Sequence, residues 1–278
     1  MKSGSVQVTV AAVQMYPQLK MTLENLNTCL NKLDEAAKKG ATLVAFPELT
    51  LSGYIYKSRE EALSIAETIP GPSIDKVVKK CASLGVHVVI GLIEKEGGKI
   101  YNTAVLIGPK GIMGKYRKTH LPKRGVDRFV EEGNIPYKVI KTDVGKLGIQ
   151  ICYDVQHPEG FRCLALQGAE IIVNITNYPQ GVEFMPNLVL PTRVIENRVH
   201  LLTCGRIGIE RDVKFIGGSM IIDADRTVLA RASGEQIIYS TLDLSKPRSK
   251  RIVIKQGENE IDLFDDRRPE LYGEICRQ

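Results

Sequence analysis

The chain has 278 residues, 43% of them hydrophobic, with 38 basic against 32 acidic side chains and a formal net charge of +6. That composition excludes an intrinsically disordered chain, and the length allows a substantial core. A basic excess this small makes no case for nucleic acid, and its densest stretch, "KYRKTHLPKR" (115–124), reads on its own as a solvated face.

The first predicted element is a strand, "VQVTVAAV" (6–13), which alternates as a half-buried strand does. "MTLENLNTCLNKLDEAAKKG" then carries Leu23, Leu26, Leu30, Leu33 and Ala37 at helical spacing and ends at Gly40, a C-terminal cap. "ATLVAFPE" is an apolar strand broken at Pro47. "GPSIDKVVKKCASLG" is a helix, with Ser73 read as its N-cap and Gly85 as its stop. Residues 86–121 read as three strands joined by turns at "EGGK" and "GPKG". "KLGIQICYD" is a strand, "PEGFRCLALQGAE" a helix opened by Pro158, and "IIVNITN" a strand. "LPTRVIENRV" is helical, "HLLTCGRIG" a strand, and "FIGGSMIIDADRTVLARAS" a strand, turn and strand. Alternating and meandering strands of this number imply an α/β fold with two mixed sheets and helices against them.

No apolar leader opens the chain and no run is long enough to span a bilayer, so a soluble, cytoplasmic protein without membrane contact is expected. Cys29, Cys81, Cys152, Cys163, Cys204 and Cys276 show no CxxC and no zinc-like pairing, so they read as free thiols, with no metal. The tail, 261–278, carries Phe264, Leu271 and Tyr272 in a charged setting, which suits docking on its own domain or on a second subunit.

Three predicted strands end on reactive side chains: "LVAFPE" at Glu48, "IMGKYRK" at Lys118 and "LGIQIC" at Cys152. Strand ends are where an α/β scaffold places its site. A carboxylate to take a thiol proton, an ammonium to hold an oxyanion and a thiolate to attack carbon form a coherent set. Each also has an ordinary reading: a loop carboxylate, a solvated lysine and a core thiol. Spacing alone does not join them. "GPKGIMGK" lacks the spacing of a phosphate-binding loop and reads as a hairpin. A Cys–His hydrolase using His120, His157 or His200 finds no protease-like cysteine signature.

The chain resembles the nitrilase superfamily, also called the carbon–nitrogen hydrolases, nearly end to end. The resemblance rests on "AFPELTLSGY", "YRKTHLP", "GIQICYDVQHPE", "LPTRVIENRVHLL", "GGSMIID" and "DRRPELY". It implies a four-layer αββα sandwich as a single domain over 1–278, with the 261–278 tail at an oligomer interface. It implies Glu48, Lys118 and Cys152 as a catalytic triad. The family's second glutamate, which positions substrate, has no clear counterpart: Asp127 is the nearest acid, and Glu131 and Glu132 lie further on. Where the family often has an arginine and an aromatic after "CYD", this chain has Val155, Gln156 and His157, closer to an aliphatic amidase-like branch. Nitrilases usually carry a glutamate two residues after the cysteine, and here Asp154 stands there. The resemblance therefore implies an amidase working through a thioester, without a cofactor, on a small amide and water. An N-carbamoyl amidohydrolase or a nitrilase is the alternative, and a non-catalytic binding protein a more distant one. Tyr54, Tyr153, Asn177 and Tyr178 lie beside the motifs and are expected to shape the pocket. A homodimer or higher homo-oligomer is expected.

Overall fold

The computed structural model describes residues 6–277. In β1 (Gln7–Gln14) the pleat sends Val8, Val10 and Ala12 into one apolar layer and Ala11 and Val13 into another. α1 (Thr22–Lys38) lays Leu26, Cys29, Leu33 and Ala36 on that second layer. It ends where Gly40 takes φ +82°, a conformation that costs a side-chain-free residue little. β2 (Leu43–Ala45), α2 (Arg59–Leu63), α3 (Pro72–Leu84) and β3 (His87–Glu96) follow. β4 (Lys99–Gly108) and β5 (Gly111–Arg117) complete the expected antiparallel meander. The second half runs β6 (Ile140–Thr142), β7 (Gly145–Ile151), α4 (Pro158–Leu166), β8 (Ile171–Thr176), α5 (Leu190–Asn197) and β9 (His200–Gly205). Then come a small hairpin, β10 (Ile207–Glu210) and β11 (Val213–Ile216), and the strands β12 (Met220–Ile222), β13 (Val228–Arg231) and β14 (Gln236–Asp243). A second hairpin, β15 (Arg251–Lys255) and β16 (Asn259–Asp262), closes the chain.

Two six-stranded sheets result, ordered β14-β1-β2-β3-β4-β5 and β13-β12-β9-β8-β7-β6. Each has three parallel central strands with antiparallel strands outside them. The sheets face each other: Cys204 of β9 donates its thiol to the carbonyls of Val13 (3.1 Å) and Ala45 (3.2 Å) in the opposite sheet. α1 and α3 cover the outer face of the first sheet. Phe161 and Leu164 of α4 and Leu190 and Val194 of α5 pack on the second. The order of layers is α, β, β, α, the sandwich expected. No helix of the described residues is long and apolar enough to cross a membrane.

Local expectations change in three places. Ser73 does not cap α3: Gly71 holds that position with Pro72 after it, and Glu67 accepts from both the backbone N–H (2.9 Å) and the hydroxyl (2.5 Å) of Ser73. A carboxylate from outside the helix thus supplies the cap. The strand before Glu48 ends at Ala45, so the glutamate stands in a turn rather than on a strand. The sheets do not end with β13. β14 returns beside the whole of β1, from Gln7↔Asp243 to Gln14↔Gln236. Of the two placements open to the tail, Phe264 takes its own domain: it packs on the core, with Arg162 and Lys250 over its ring at 5.2 and 5.1 Å. Further along the tail, Leu271 and Ile275 are exposed, and Gln278 lies outside the described residues.

Candidate active site

β7 delivers Cys152 to its C-terminal end in a left-handed conformation, φ +49°, at the first residue of a short 3-10 turn, Cys152–Gln156. A side chain at such a φ stores strain and persists only where its surroundings hold it. Here the holding is done from both ends of the turn. The fully buried Asp154 carboxylate accepts from Ile151 N–H (3.1 Å), the Tyr116 hydroxyl (2.8 Å) and His120 N–H (3.0 Å), and lies 2.8 Å from His120 Nδ1. His120 stacks on His157, 3.8 Å between ring centres. At the far end, Arg193 of α5 donates to the carbonyls of Val155 (2.8 Å) and Gln156 (3.2 Å).

The turn after β2 and the end of β5 bring Glu48 and Lys118 together in the interior, each 1% exposed. Lys118 Nζ donates to Glu48 Oε1 (2.8 Å) and to Asp127 Oδ2 (2.6 Å). Asn102 of β4 donates its amide to the same Glu48 oxygen (2.7 Å) and to Asp127 Oδ1 (3.0 Å). The Tyr54 hydroxyl donates to Asp127 Oδ2 (2.8 Å). Two carboxylates share one ammonium, and the second Glu48 oxygen is buried without any hydrogen bond.

The electrostatics follow from that arrangement. Burial raises the Glu48 carboxyl above its ordinary value, and Asp127 adds to this against the pull of Lys118. Burial works to lower Lys118, but Asp127 and Glu48 outweigh it and hold the ammonium well above its ordinary value. Burial, then the Glu48 charge, pushes the Cys152 thiol up to about 12, opposed by Lys118 and by hydrogen bonding from Thr176 and the Asn177 N–H. At neutral pH the sulfur is a thiol, and the carboxyl beside it has a raised affinity for a proton.

Cys152 opens onto a cavity of about 280 Å³, whose wall also includes Tyr54, Tyr153, Asn177 and Tyr178. That volume lies just under the roughly 300–1,000 Å³ of sites for drug-sized molecules, so it suits a small one. Asn177 keeps both amide atoms buried without partners.

The carbon–nitrogen hydrolase family matches this chain over residues 9–252. The chain belongs to that family. It is 39% identical to a nitrilase of Pyrococcus abyssi, across 95% of this chain and 99% of that one. It is 30% identical to an (R)-stereoselective amidase of a Pseudomonas species, across 92% and 87%. A carbon–nitrogen hydrolase of Helicobacter pylori G27, 23% identical, shares the fold with a TM-score of 0.86 over 98% of this chain and 99% of that one.

In this carbon–nitrogen hydrolase the predicted Glu48, Lys118 and Cys152 are brought into one electrostatically coupled group, although they come from both sheets. Asp127 is in that group too, through Lys118, and like Glu48 and Lys118 it stands outside the lining of the Cys152 cavity. Glu131 instead faces Arg59, 3.7 Å away. Asp154 is likewise outside the cavity lining, so a carboxylate at this position acts on the turn. His200 is a fold residue: its Nδ1 accepts from Ala224 N–H (3.0 Å) and its Nε2 lies 2.9 Å from the Asp243 carbonyl oxygen. Asn102 escaped the sequence reading. Its one signal was an amide in the apolar run of β4, where it is 1% exposed.

Proposed function

We propose that this carbon–nitrogen hydrolase is an amidase that passes its acyl group through a thioester on Cys152. The observation that carries the reading is the free, buried Glu48 oxygen in the field of a strained, protonated thiol. Glu48 acts as general base and takes the Sγ proton as the sulfur attacks the amide carbon. Lys118 and the backbone N–H of Tyr153 receive the oxyanion. The tetrahedral species collapses with cleavage of the C–N bond, and Glu48 hands its proton to the leaving nitrogen, which departs as ammonia. Water, deprotonated by the same carboxylate, adds to the thioester. The C–S bond breaks, the acid leaves and the thiol regains its proton. Asp127 and Asn102 act as positioning residues that hold Lys118 and Glu48. Tyr54, Tyr153, Asn177 and Tyr178 contact the substrate. The chemistry draws on side chains, backbone and water alone.

The Pyrococcus abyssi relative is named a nitrilase, which motivates a second reading, attack on a nitrile through a thioimidate. Mixing the full chain with matched amide, nitrile and N-carbamoyl panels, and following ammonia together with intact-protein mass, separates them. The amidase reading expects ammonia from amides and a transient acyl adduct on the protein. Turnover of nitriles with inert amides would overturn it.

The six free thiols suit a reducing, cytoplasmic compartment. Val253, Ile254, Leu271 and Ile275, all exposed in the last hairpin and tail, suit a homodimer. Gel filtration of the full chain should give a dimer, and deletion from Ile261 onward should weaken it. A full-length monomer active at nanomolar concentration would refute this.

A further inference from the structure

The hairpin β10–β11 belongs to neither six-stranded sheet, and it holds a buried ion pair. Arg206, the residue before β10, is fully buried. It donates one terminal guanidinium nitrogen to Glu210 Oε2 (2.6 Å) and the other to the Pro17 carbonyl (2.8 Å). Its guanidinium lies 4.4 Å from the centre of the Phe215 ring in β11. A buried ion pair contributes little net stability, because desolvation of the two charges offsets their attraction. This one puts its charge to another use. The second Glu210 oxygen, Oε1, accepts from two consecutive backbone N–H groups, those of Tyr54 (2.8 Å) and Ile55 (2.6 Å). Hydrogen bonds to a carboxylate are about twice as strong as those between neutral groups. Phe215 also meets the Tyr54 ring edge-on, 6.2 Å between ring centres. Tyr54 is thus gripped by a residue 156 positions further along the chain.

From Tyr54 the contacts run on to the cluster beside the thiol. The Tyr54 carbonyl accepts from Val126 N–H (2.8 Å), and its hydroxyl donates to Asp127 Oδ2 (2.8 Å) and lies 3.3 Å from the Arg124 carbonyl oxygen. Between these anchors Gly125 takes φ +51°, and a Cβ there would lie 2.5 Å from an atom of the Tyr54 ring. The segment is therefore seated on that ring as closely as glycine permits. Asp127 in turn accepts from Lys118 Nζ (2.6 Å). We infer that Glu210, held in place by Arg206, is a positioning residue for the reaction: by fixing the Tyr54 backbone it sets the hydroxyl that holds Asp127 against Lys118. This rests on the reaction proposed above for Glu48, Lys118 and Cys152. Glu210 lies outside the lining of the Cys152 cavity and acts only through Tyr54.

Two double variants of the full chain test this. Arg206→Met/Glu210→Gln and Arg206→Met/Glu210→Leu both remove the ion pair as a whole, so neither leaves an unpaired charge in the interior. Only the glutamine keeps an oxygen for the Tyr54 and Ile55 N–H groups. Urea unfolding first establishes that both are folded under assay conditions. On a saturating amide, kcat should then be about tenfold lower in the leucine variant than in the glutamine variant. That is the scale of one hydrogen bond to a charged group, here the bond from the Tyr54 hydroxyl to Asp127. In a Tyr54→Phe background, where that bond is already cut, the ratio should fall close to one, while the difference in unfolding midpoint between the two variants persists. The rate at which iodoacetamide alkylates Cys152, followed by peptide mass, reads the same ratio without turnover. If the leucine variant does not fold, Glu210→Asp, which keeps the charge beside Arg206 and draws the oxygen back by one methylene, is compared with the wild type in the same assays and in the same Tyr54→Phe background. A ratio close to one in either assay, or one that Tyr54→Phe leaves intact, overturns the inference. A chain that hydrolyses no amide yet shows the ratio in alkylation would keep Glu210 as a positioning residue and sink the amidase reading. Amide turnover that is equal in the two variants would sink the inference alone.

Discussion

Two carboxylate–cation clusters sit on opposite faces of the same stretch of sheet, and their lysine and arginine are adjacent in sequence. Asn102 and Lys118 turn to one face and meet Glu48; Thr103 and Arg117 turn to the other and meet Glu94. Glu94 is saturated. It accepts from Arg117 Nε (2.9 Å) and a terminal guanidinium nitrogen (2.7 Å), from Thr103 Oγ1 (2.7 Å) and from Lys115. Burial alone would raise its carboxyl, but these donors outweigh burial and hold it below its ordinary value. Glu48 is equally buried, yet both of its donors crowd one oxygen and leave the other with none. Its carboxyl is raised instead. The residue types are nearly the same. What differs is how many donors remain for each oxygen, and that separates a carboxylate that braces the sheet from one with basicity left over.

The largest break in that comparison comes from the group that, in the proposed mechanism, gives its proton to Glu48. Cys152→Ala should abolish turnover while the cooperative unfolding transition persists, because only a sulfur is removed from a turn held by Asp154 and Arg193. Substantial amidase activity in that variant would remove Cys152 as nucleophile, and loss of activity in Cys204→Ala alone would move the role elsewhere.

Next come the paired changes Glu48→Gln and Glu94→Gln. The first should lower the rate by about 10²–10⁴, the range for a lost general base, with an unfolding midpoint held or raised, since the fold disfavours the ionised carboxylate it removes. The second should cost about 3–5 kcal/mol by leaving Arg117 buried without its main partner, with kcat little changed. Urea unfolding and initial rates on both variants decide. An effect of Glu94→Gln on rate that exceeds its effect on stability would erase the distinction between the clusters.

Lys118→Met sharpens the same contrast at smaller scale. It should slow turnover by about 10² or more, as loss of an oxyanion donor does, and should lower acylation and thioester hydrolysis together. A single-turnover mass experiment checks this. Normal acylation with a slow second step would remove Lys118 from the acylation step.

Much of this was legible in the residues, and the rest was hidden for identifiable reasons. Glu48, Lys118 and Cys152 sit in distinctive strings after apolar strands, so the layered fold and the grouping of these three side chains are both readable. Asp127 is visible only as the nearest acid, because reaching Lys118 depends on the turn at Gly125. Asn102 looks like any polar residue in a strand until β5 pairs beside it. Nothing marks Cys152 as left-handed, because the usual glycine is absent and the strain is carried by partners distant in sequence, Tyr116, His120 and Arg193. β14 is a half-exposed strand at the sheet edge, Ile237 and Tyr239 on one face and Ile238 and Leu242 on the other, so its apolar residues show no single stripe.

The smallest effect, and the one that separates the clusters within a single wild-type sample, is the order of events on acidification. With Glu48 raised, its base form is lost as pH falls through a value above the ordinary 4.5, so the acid limb of kcat/KM should lie above pH 4.5. Glu94 is lowered, so the stability it contributes is present above its unfolded value and is lost only as pH falls through a folded value below 4.5. His87, His157 and His200 are each lowered from 6.5 by burial. The unfolded chain therefore takes up protons there first, and stability should decline gently from about pH 6.5 downward. Activity should consequently vanish while the near-ultraviolet circular dichroism is still native, and it should return on neutralisation without a refolding lag. In Glu48→Gln the residual rate should lose the acid limb, and in Glu94→Gln the limb should stay while the acid unfolding midpoint changes. A wild-type limb that coincides with unfolding would mean that the two carboxylates titrate alike, and the difference in their donors would then explain neither.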